Sequence, residues 1–297
     1  MATNLNKKTV LITGGTGGLG KAAAILLAQR GYRVFAAGRS AEKRTQLDGW
    51  ARQQKLALET VEMDVCDDAS VKNGVSAVIA KAGTLDVLIN NAGFVHAATV
   101  EEMLLEDWRR QFETNFFGVV RVTQAVLPHM RVRRSGRILM MSSVAGLITP
   151  PTYGPYSSSK HALEGLSNAL RLELFPVGID VVLIEPGYIV TNIQNVAADL
   201  MAPYAAEIKS GPYAKIYAGA LAGASSARGK SNATVEDCAR VMLEAIEARR
   251  PRARYGVTSL ATLVKWAKRL LSDSAIDAML RRRYGIVREK TDAAAGT

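Results

Sequence analysis

The chain has 297 residues, of which 48% are hydrophobic and 22% charged, and this composition excludes a disordered or fibrous protein. Its two cysteines, Cys66 and Cys238, are too few for a disulfide framework or a cysteine-based zinc site, which favours a reducing, cytoplasmic compartment. The net charge of +11 is uneven, because residues 249–290 hold twelve Lys or Arg against three acids while the rest is nearly neutral. The charge therefore indicates a basic C-terminal segment and not a basic surface throughout.

Hydrophobic stretches are short throughout the sequence. None reaches the roughly 18–20 apolar residues that a membrane-spanning helix needs. Residues 1–8 also lack the apolar core of a signal peptide. We therefore expect a cytoplasmic protein.

Short apolar runs alternate regularly with longer segments of helical period. Six strands are predicted, at Thr9–Thr13, Tyr32–Ala37, Leu58–Met63, Asp86–Asn90, Arg137–Met141 and Asp180–Ile184. Six helices are predicted, near residues 18–29, 41–54, 68–81, 106–131, 156–174 and 235–248. This alternation predicts an α/β fold with a doubly wound parallel sheet of the Rossmann type, in a single domain spanning residues 1–297.

Two segments depart from the alternation. Residues 188–233 are less periodic and rich in Ala, Gly, Ser and Tyr, which is typical of a mobile segment over a pocket, so we expect a substrate lid there. Residues 249–297 form the basic C-terminal extension, which we expect to be helical. Between them, Thr234 offers an N-cap for the helix near 235–248.

A glycine-rich loop joins the first predicted strand to the first predicted helix. Glycines let the backbone turn tightly and approach a pyrophosphate, whose charge is attracted by free amides and by the positive end of the helix dipole. The strand–loop–helix context predicts a dinucleotide site, and a glycine-rich turn without a ligand is the alternative. The expected contacts are Gly14, Thr16, Gly17, Gly18, Leu19 and Gly20.

Further motifs follow this loop in a fixed order. They are Asn90-Asn91-Ala92-Gly93 after the fourth strand, Asn115 on the next helix, Ser142-Ser143 after the fifth strand, Tyr156-Ser157-Ser158-Ser159-Lys160, and Pro186-Gly187 with Thr191 after the sixth. With these motifs, the chain resembles the short-chain dehydrogenase/reductase family. The resemblance implies a nicotinamide-dependent enzyme for alcohols and carbonyls, assembled as a homodimer or homotetramer through the helices near 106–131 and 156–174.

Four residues are predicted to carry the chemistry. Hydride transfer to a carbonyl needs a proton donor and hydrogen bonds to the oxygen. Tyr156 is the predicted acid/base, and Lys160 lies one helical turn later, where its ammonium would lower the tyrosine pKa and reach the nicotinamide ribose. The resemblance implies that Ser143 holds the substrate oxygen in preference to Ser142, and that Asn115 supports a water and proton relay through Lys160.

The end of the second predicted strand indicates which dinucleotide binds. A carboxylate there would bond the ribose of NAD, but the sequence has Gly38 followed by Arg39, which can pair with the additional phosphate of NADP. We therefore predict NADP(H), and a solvated loop arginine is the alternative for Arg39.

The resemblance implies further cofactor contacts. They are Asp64, Val65, Asn91, Ala92, Gly93, Tyr156, Lys160, Pro186, Gly187, Ile189 and Thr191. Asp64 could equally be a helix-capping acid. Asn90 is expected to shape the cofactor wall together with Gly93.

The expected substrate contacts are mostly apolar. They are Val95, Ser143, Leu147, Ile148, Pro150, Tyr153 and Tyr188. Because no cluster of Arg or Lys occurs among them, a lipophilic alcohol or ketone fits better than an anion. The run from Tyr156 to Ile193 also resembles the hydroxysteroid and retinol dehydrogenase branch.

The C-terminal extension contains an amphipathic segment. Leu260, Leu263, Val264, Ala267, Leu270 and Leu271 recur at helical spacing, opposite Lys265, Lys268 and Arg269. Such a helix either packs over the pocket or across a subunit contact, which is the usual case and is favoured, or makes peripheral membrane contact. We expect no nucleic-acid partner, because the arginine clusters lack a recognised binding motif, and no metal, because the three histidines are far apart.

The sequence thus predicts an NADP(H)-dependent oxidoreductase that interconverts a hydrophobic alcohol with its ketone or aldehyde. The alternative, from another class, is a non-catalytic NADP-binding redox sensor. A sensor does not need Asn115, Ser143, Tyr156 and Lys160 together, which favours the enzyme.

Overall fold

The computed structural model describes residues 8–190, 197, 199–230 and 233–288. Thr191, predicted as a cofactor contact, lies outside the described residues. The described chain has three layers, with helices on both faces of one sheet.

Seven parallel strands of the described chain form the sheet, in the order β3-β2-β1-β4-β5-β6-β7. They are β1 (Thr9–Thr13), β2 (Arg33–Gly38), β3 (Leu58–Glu62), β4 (Val87–Asn90), β5 (Gly136–Met141), β6 (Ile179–Glu185) and β7 (Arg254–Gly256). β1 pairs with β4 in the register Val10–Val87, and the direction of strand addition reverses between these two strands. Such a reversal opens a crevice at the carboxyl ends of the strands. The predicted doubly wound parallel sheet is confirmed.

The helices of the described chain connect these strands and build most of the C-terminal extension. They are α1 (Gly18–Gln29), α2 (Ala41–Gln53), α3 (Asp68–Ala82), α4 (Leu105–Phe112), α5 (Gly118–Arg133), α6 (Gly154–Leu174), α7 (Ala205–Ser210), α8 (Ala214–Lys230), α9 (Val235–Glu247), α10 (Ser259–Leu270) and α11 (Asp273–Tyr284). α1, α2 and α9 cover one face of the sheet, and α3, α5 and α6 cover the other. Alternate residues of a strand point to opposite faces, so Ile12 packs in the first core and Leu11 in the second.

The helix predicted near 106–131 is interrupted. α4 and α5 are separated by one π-helical turn over Glu113–Phe117, which contains the fully buried Asn115. Such turns are frequent at functional sites because they displace one side chain from the helical register.

The predicted N-cap of α9 is confirmed as a capping box. The Thr234 hydroxyl accepts from the amide of Asp237 at 3.2 Å, and the Asp237 carboxylate accepts from the amide of Thr234 at 2.8 Å.

The C-terminal extension begins with a strand that the sequence analysis missed. β7 has three residues, and its short polar sequence carries no periodic signal. It joins the sheet beside β6, and α10 and α11 follow it. Within the described chain, no helix is both long and apolar enough to cross a membrane.

Arg254 of β7 holds two buried carboxylates. Its guanidinium forms ion pairs with Glu164 of α6 and Glu185 of β6, and both acids are buried. Burial raises the pKa of Glu164, while the hydrogen bond from Ser142 and the charge of Arg254 oppose the rise. Two interior negative charges thus depend on one cation supplied by the last strand.

We expect Arg254→Met to lower the free energy of unfolding by about 3–5 kcal/mol, because Glu164 and Glu185 would stay buried without their shared ion-pair partner. Urea unfolding followed by circular dichroism measures this loss. The loss should shrink as the pH falls, since the pKa of Glu164 is raised in the folded state and its protonation then favours folding. Arg240→Met removes an exposed ion pair with Asp237 and should cost at most about 1 kcal/mol. An equal loss in both variants would contradict the prediction.

Candidate active site

A cavity of about 1380 Å³ opens at the carboxyl edge of the sheet. Its wall is built by the loops after β1, β2, β3, β4, β5 and β6, and by residues of α6, α8, α10 and α11. Ligand pockets are typically about 300–1000 Å³, so this cavity has room for a dinucleotide and a second molecule.

The glycine loop presents backbone amides to this cavity. Gly14 and Gly18 have φ angles of 63° and 49°, in the left-handed region that favours glycine. A Cβ at Gly15 would lie 2.8 Å from the Cα of Ala36, so the loop packs directly on the backbone of β2. Gly17 is the N-cap of α1 and supplies no side-chain cap. The first-turn amides are therefore left for an anion, and the loop fits the pyrophosphate of a dinucleotide.

Gly20 differs from the prediction, because it does not line the cavity. A Cβ at this position would lie 2.5 Å from Nδ2 of Asn91 and from the carbonyl oxygen of Gly14. Gly20 thus permits close packing of α1 on two loops and is not a phosphate contact. The other predicted loop residues line the cavity, namely Gly14, Thr16, Gly17, Gly18 and Leu19.

Two cations stand beyond the end of β2. Arg39 and Lys43 line the cavity, and the Arg39 side chain is 73% exposed, with Nη1 3.6 Å from Oδ2 of Asp64. A Cβ at Gly38 would collide with the side chain of Thr16. A larger residue at position 38 would therefore have to displace the side chain of Thr16, and the nearby cations suit an anionic group.

The loop after β3 supplies the predicted pair Asp64 and Val65, and both line the cavity. Asp64 accepts from the amide of Cys66 at 3.0 Å, which shapes the turn. The N-cap of α3 is Asp67, whose carboxylate accepts from the amide of Ser70. Asp64 is therefore not the capping acid, and its position at the cavity fits the predicted cofactor contact.

The carboxyl ends of β1 and β4 are joined by hydrogen bonds. The Thr13 hydroxyl accepts from the amides of Asn91 at 2.9 Å and Ala92 at 3.0 Å, and the Asn91 amide group donates to the Thr13 carbonyl at 2.9 Å. Asn91, Ala92 and Gly93 line the cavity, where the sequence placed them.

Asn90 faces the interior instead of the cofactor wall. Its side chain is buried and donates to the Thr123 hydroxyl of α5 at 2.9 Å. The expectation for Asn90 was wrong, because the last residue of β4 points away from the cavity toward the helix layer.

Asn115 holds the loop after β4 against α6. Its Oδ1 accepts from the amide of Phe94 at 3.0 Å, and its Nδ2 donates to the Phe94 carbonyl at 3.0 Å and the Ser159 hydroxyl at 3.3 Å. A Cβ at Gly93 would lie 3.1 Å from Oδ1 of Asn115 and 3.9 Å from Nζ of Lys160, so these three residues meet. The contacts of Asn115 in the described chain thus fix loop geometry.

The ammonium of Lys160 is buried beside the end of β5. Nζ donates to the Met141 carbonyl at 2.7 Å and lies 5.7 Å from the centre of the Tyr156 ring. Burial lowers the pKa of Lys160 to about 8, and the charge of Glu164 one turn later opposes this fall. The ammonium therefore stays mostly protonated at neutral pH.

Tyr156 lines the cavity, but its ionisation differs from the prediction. Burial raises its pKa to about 12; a hydrogen bond with Ser143 acts in the opposite direction, and Tyr153 adds to the rise. The expected lowering by Lys160 was wrong for the described structure, because desolvation dominates and the ammonium is bonded to the Met141 carbonyl. Tyr156 is a neutral phenol at neutral pH.

The two serines after β5 have different partners. The Ser142 hydroxyl donates to the buried carboxylate of Glu164. The Ser143 oxygen accepts from the amide of Ala145 at 3.1 Å, caps the short 3-10 turn Val144–Gly146, and hydrogen-bonds Tyr156. Ser143 is therefore the serine that accompanies the phenol, as expected.

Three of the expected substrate contacts lie in the same cavity as Tyr156 and Ser143. Val95, Tyr153 and Tyr188 line the cavity, and the Tyr153 ring packs edge to face on the Tyr156 ring with 6.2 Å between centres. Pro186, Gly187 and Ile189 line the neighbouring wall.

Leu147 is not part of the cavity wall. Its amide donates to the Val144 carbonyl at 3.0 Å at the end of the 3-10 turn. This turn rotates Leu147 away, whereas Ile148 and Pro150 line the cavity.

Of the two packing surfaces that the sequence analysis left open for the amphipathic helix, the structure shows the pocket, because the C-terminal helices supply a wall of the cavity. Its residues are Leu260, Leu263, Val264, Ala267, Ile276, Met279, Leu280, Arg282, Arg283 and Tyr284. The amphipathic pattern of α10 indicated an apolar face but not the surface that it covers. Arg282 and Arg283 of this wall are two basic residues that the expected substrate contacts did not include.

Nearer the strands, sequence reasoning missed other wall residues, namely Ser40, Lys43, Cys66, Phe94, Thr114, Met141, Val144 and Ala145. Most carry no motif, and only the loop conformation brings them to the cavity. In the described part of the chain, His, Cys, Asp and Glu side chains form no group of three that could hold a metal ion.

A parallel sheet with a glycine loop at its switch point and a Tyr–Lys pair in the same cavity is typical of a dinucleotide-dependent oxidoreductase. Residues 8–200 match the family model described as short chain dehydrogenase. The chain belongs to the short-chain dehydrogenase/reductase family, whose members act on alcohols and carbonyls.

Two curated relatives show the range of this similarity. The NADPH-dependent 3-dehydrocapnine reductase of Ornithobacterium rhinotracheale is 35% identical over 274 residues, which cover 90% of this chain and 94% of that protein. Human retinol dehydrogenase 8 is 38% identical over 192 residues, which cover 63% of this chain and 61% of that protein. The predicted resemblance to the retinol and hydroxysteroid branch is confirmed.

Solved structures share the fold over most of the chain. A single-residue variant of actinorhodin polyketide ketoreductase with NADPH has a TM-score of 0.71 at 30% identity and covers 86% of this chain and 97% of its own. A short-chain dehydrogenase from Burkholderia phymatum in complex with NAD has a TM-score of 0.73 at 25% identity and covers 97% and 98%. A nicotinamide dinucleotide is therefore the cofactor class of this fold.

In the nucleotide-free protein, Tyr156 should stay protonated to at least about pH 10, because burial raises its pKa to about 12. Tyrosinate absorbance measured against pH should therefore follow the same curve in wild type and Tyr156→Phe over this range. If one more tyrosine ionises below pH 9 in the wild type than in Tyr156→Phe, the prediction is wrong and the pKa of Tyr156 is lowered.

Proposed function

We propose that the protein reduces a lipophilic ketone or aldehyde with NADPH and oxidises the corresponding alcohol in reverse. The observation that carries this proposal is that Ser143, Tyr156 and Lys160 lie in the same cavity as the glycine loop. When bound, the reduced nicotinamide supplies the hydride. The substrate is a carbonyl compound because hydride transfer to it needs the proton donor that this cavity contains.

The ionisation of Tyr156 favours carbonyl reduction. As a neutral phenol with a pKa of about 12, it can give its proton to the alkoxide oxygen, which is a much stronger base than a phenolate. Ser143 lies beside the phenol and can donate a second hydrogen bond to the same oxygen. The two hydroxyls thus stabilise the negative charge that develops during reduction.

Lys160 supports the proton transfer electrostatically. Its ammonium stabilises the phenolate left on Tyr156, and it can do so while it is protonated, that is below about pH 8. Asn115 acts as a positioning residue, since it fixes the Gly93–Phe94 backbone beside Lys160. The relay through Lys160 that the family resemblance implies stays a prediction.

The loop after β2 supports NADP(H) over NAD. Arg39 and Lys43 offer two cations to an additional phosphate, and the side chain of Thr16 occupies the space that a carboxylate at position 38 would need. The relative named for NADPH dependence and the ketoreductase solved with NADPH agree with this preference, although the Burkholderia phymatum structure contains NAD.

The apolar lining of the cavity supports a lipophilic substrate. Leu263, Met279 and Leu280 of the C-terminal helices line the same cavity as Val95 and Ile148, and burial of apolar substrate surface there is favourable. The matched proteins include one named for a retinol and one for a 3-dehydrocapnine, which agrees with this class.

We propose that the segment 188–233 acts as the substrate lid and that α10 and α11 of the 249–297 extension complete the wall; residues 191–196, 198, 231–232 and 289–297 of these segments lie outside the described residues. Two tyrosines tie the lid to α4 and to the segment before it: the Tyr204 hydroxyl donates to Asp107 at 2.7 Å, and the Tyr217 hydroxyl donates to Glu102 at 2.8 Å. Ala220 and Ala224 of α8 then line the cavity.

We also propose a homodimer or homotetramer in a reducing cytoplasm. Phe117 at the start of α5, and Leu172 and Phe175 at the end of α6, are exposed apolar side chains on the helices expected to associate. Cys66 and Cys238 are free thiols, in keeping with a reducing compartment.

A panel of lipophilic ketones and aldehydes, assayed for carbonyl-dependent loss of NADPH absorbance, tests the activity. The redox-sensor alternative predicts NADPH binding without turnover across the whole panel. Turnover of any panel member supports the proposed enzyme activity. Tight NADPH binding without turnover of any member would contradict it.

Tyr156→Phe should lower kcat by about 10²–10⁴-fold, because it removes the proton donor. The affinity for NADPH should change little, and fluorescence titration measures it alongside steady-state kinetics. Tyr32→Phe is the matched control, since Tyr32 is also buried with a pKa near 12 but lies outside the cavity lining. Comparable kcat in Tyr156→Phe and wild type would exclude the acid role.

Arg39→Asp should move the preference from NADP toward NAD. Loss of a charge-assisted hydrogen bond to the phosphate should raise the KM for NADPH by about 10–100-fold, while the new carboxylate favours an unphosphorylated ribose. The ratio of kcat/KM for NADPH to that for NADH is the measurement. Arg52→Asp makes the same charge change at the far end of α2 and should leave the ratio unchanged. If Arg39→Asp has the same ratio as wild type, Arg39 does not determine the preference for NADP(H).

A further inference from the structure

Five basic side chains line the cavity, counted over the described residues. They are Arg39, Lys43, Lys160, Arg282 and Arg283. Arg39 and Lys43 stand at the end of β2, and Lys160 stands beside Tyr156, so the nucleotide and the proton transfer account for three of them. The two arginines of α11 have no role in the proposed reaction.

Arg282 and Arg283 lie at the solvent-exposed edge of the cavity wall that α11 builds. The next residue, Tyr284, is close enough to add to the rise in the pKa of Tyr153 that burial causes, and the Arg283 guanidinium is 5.9 Å from the centre of the Tyr284 ring. Tyr153 in turn packs on Tyr156. Arg283 is therefore connected to Tyr156 through Tyr284 and Tyr153.

The end of α11 is held in this position by close backbone packing. A Cβ at Gly219 of α8 would collide with the Tyr284 carbonyl, and a Cβ at Gly223 would collide with the Tyr284 ring. The two glycines lie one helical turn apart and let α8 and α11 approach closely. The arginines are therefore carried by a fixed helix end and not by a free tail.

The guanidinium groups of Arg282 and Arg283 are available for a ligand. In the part of the chain that the structure describes, no carboxylate forms an ion pair with either of them. Arginine presents a planar fork of donors that matches a carboxylate, sulfonate or phosphate group. Around them the wall is apolar, with Met279 and Leu280 on the same helix.

We propose that Arg282 and Arg283 bind the anionic head group of an amphiphilic carbonyl substrate, whose chain lies along the apolar wall with its carbonyl at Tyr156. This inference rests on the proposed reduction and narrows its substrate from lipophilic carbonyls in general to those that carry a negative charge. The charge fixes the orientation of a chain that apolar contacts alone would let slide.

The test compares charged and neutral forms of the same ketone. 3-Oxododecanoate and 10-oxododecanoate, each paired with its methyl ester, place the carbonyl near to or far from the charge, and NADPH oxidation gives kcat/KM for each. We expect wild type to prefer the acid over the ester for at least one pair. In Arg282→Gln/Arg283→Gln, kcat/KM for the preferred acid should fall about 10–100-fold, and far less for its ester.

Arg281→Gln is the matched control. Arg281 carries the same charge on the same helix but does not line the cavity, so the variant should keep the acid preference of wild type. Retained melting temperature in the double variant, measured by circular dichroism, shows that it is folded. The KM for NADPH should be the same in all three proteins.

Several outcomes would overturn the proposal. The first is an equal kcat/KM for acid and ester in wild type, and the second is an acid preference that survives in the double variant. The third is a rise in the KM for NADPH as large as the fall in kcat/KM for the acid, which would assign the arginines to the nucleotide. Loss of binding to phosphatidylglycerol vesicles with an unchanged acid preference would assign them to a lipid surface.

A binding measurement separates this proposal from the proposed reduction. Calorimetry with decane-1-sulfonate, in the presence of NADP⁺, requires no turnover. Binding that is lost in the double variant but kept in Arg281→Gln supports the anion site even if no ketone in the panel is reduced. Absence of binding in wild type, together with turnover of neutral ketones, refutes the anion site and leaves the reduction standing.

Discussion

The buried ammonium of Lys160 is the constraint on which the site depends. It lies between the Met141 carbonyl at the end of β5 and the Gly93 backbone after β4, and Asn115 holds that backbone in place. A charge removed from water is costly unless it is paired, so the strand ends, the π-helical turn and α6 must all be in position before the ammonium is stable there. Glu164 supplies the opposing charge one turn away, and Arg254 of the last strand keeps Glu164 itself paired. The catalytic group and the edge of the sheet are thus energetically connected.

The same burial sets the charge states of Tyr156 and Lys160. It raises the pKa of Tyr156 and lowers that of Lys160, so the resting pair is a neutral phenol beside an ammonium. A neutral phenol is ready to donate a proton to a new alkoxide, and the ammonium stabilises the phenolate that results. The cavity has two kinds of wall: the first two strand–helix units supply the glycine loop and two cations, and the C-terminal helices supply apolar side chains and arginines. Tyr156 and Lys160 line the same cavity.

Local sequence determined most of the scaffold and the motif residues. Strand and helix positions followed from hydrophobic period, and the glycine loop, Ser143, Tyr156 and Lys160 occur where short-range geometry alone brings them to the carboxyl edge of a parallel sheet. Asp64 could not be distinguished from a helix cap, and Asn90 was assigned to the wrong side, because a residue at a strand end can point to either face. The helix through Asn115 was predicted as continuous, since one extra residue in a π-helical turn leaves no mark on the hydrophobic pattern.

Tertiary structure alone decided the charge states and the substrate wall. The pKa of Tyr156 depends on how much water the surrounding elements exclude, which the i, i+4 spacing of Tyr156 and Lys160 does not encode. β7 was too short to be periodic, and it is stable because it pairs with β6 and supplies Arg254 to two buried acids. Arg282, Arg283 and Tyr284 lie more than a hundred residues from Tyr156 in sequence, and only the packing of α11 on the glycines of α8 brings them to the cavity. Sequence identified the glycine loop because it directly joins β1 to α1 in the chain, whereas the wall from the C-terminal helices is built from long-range contacts that only the folded chain makes.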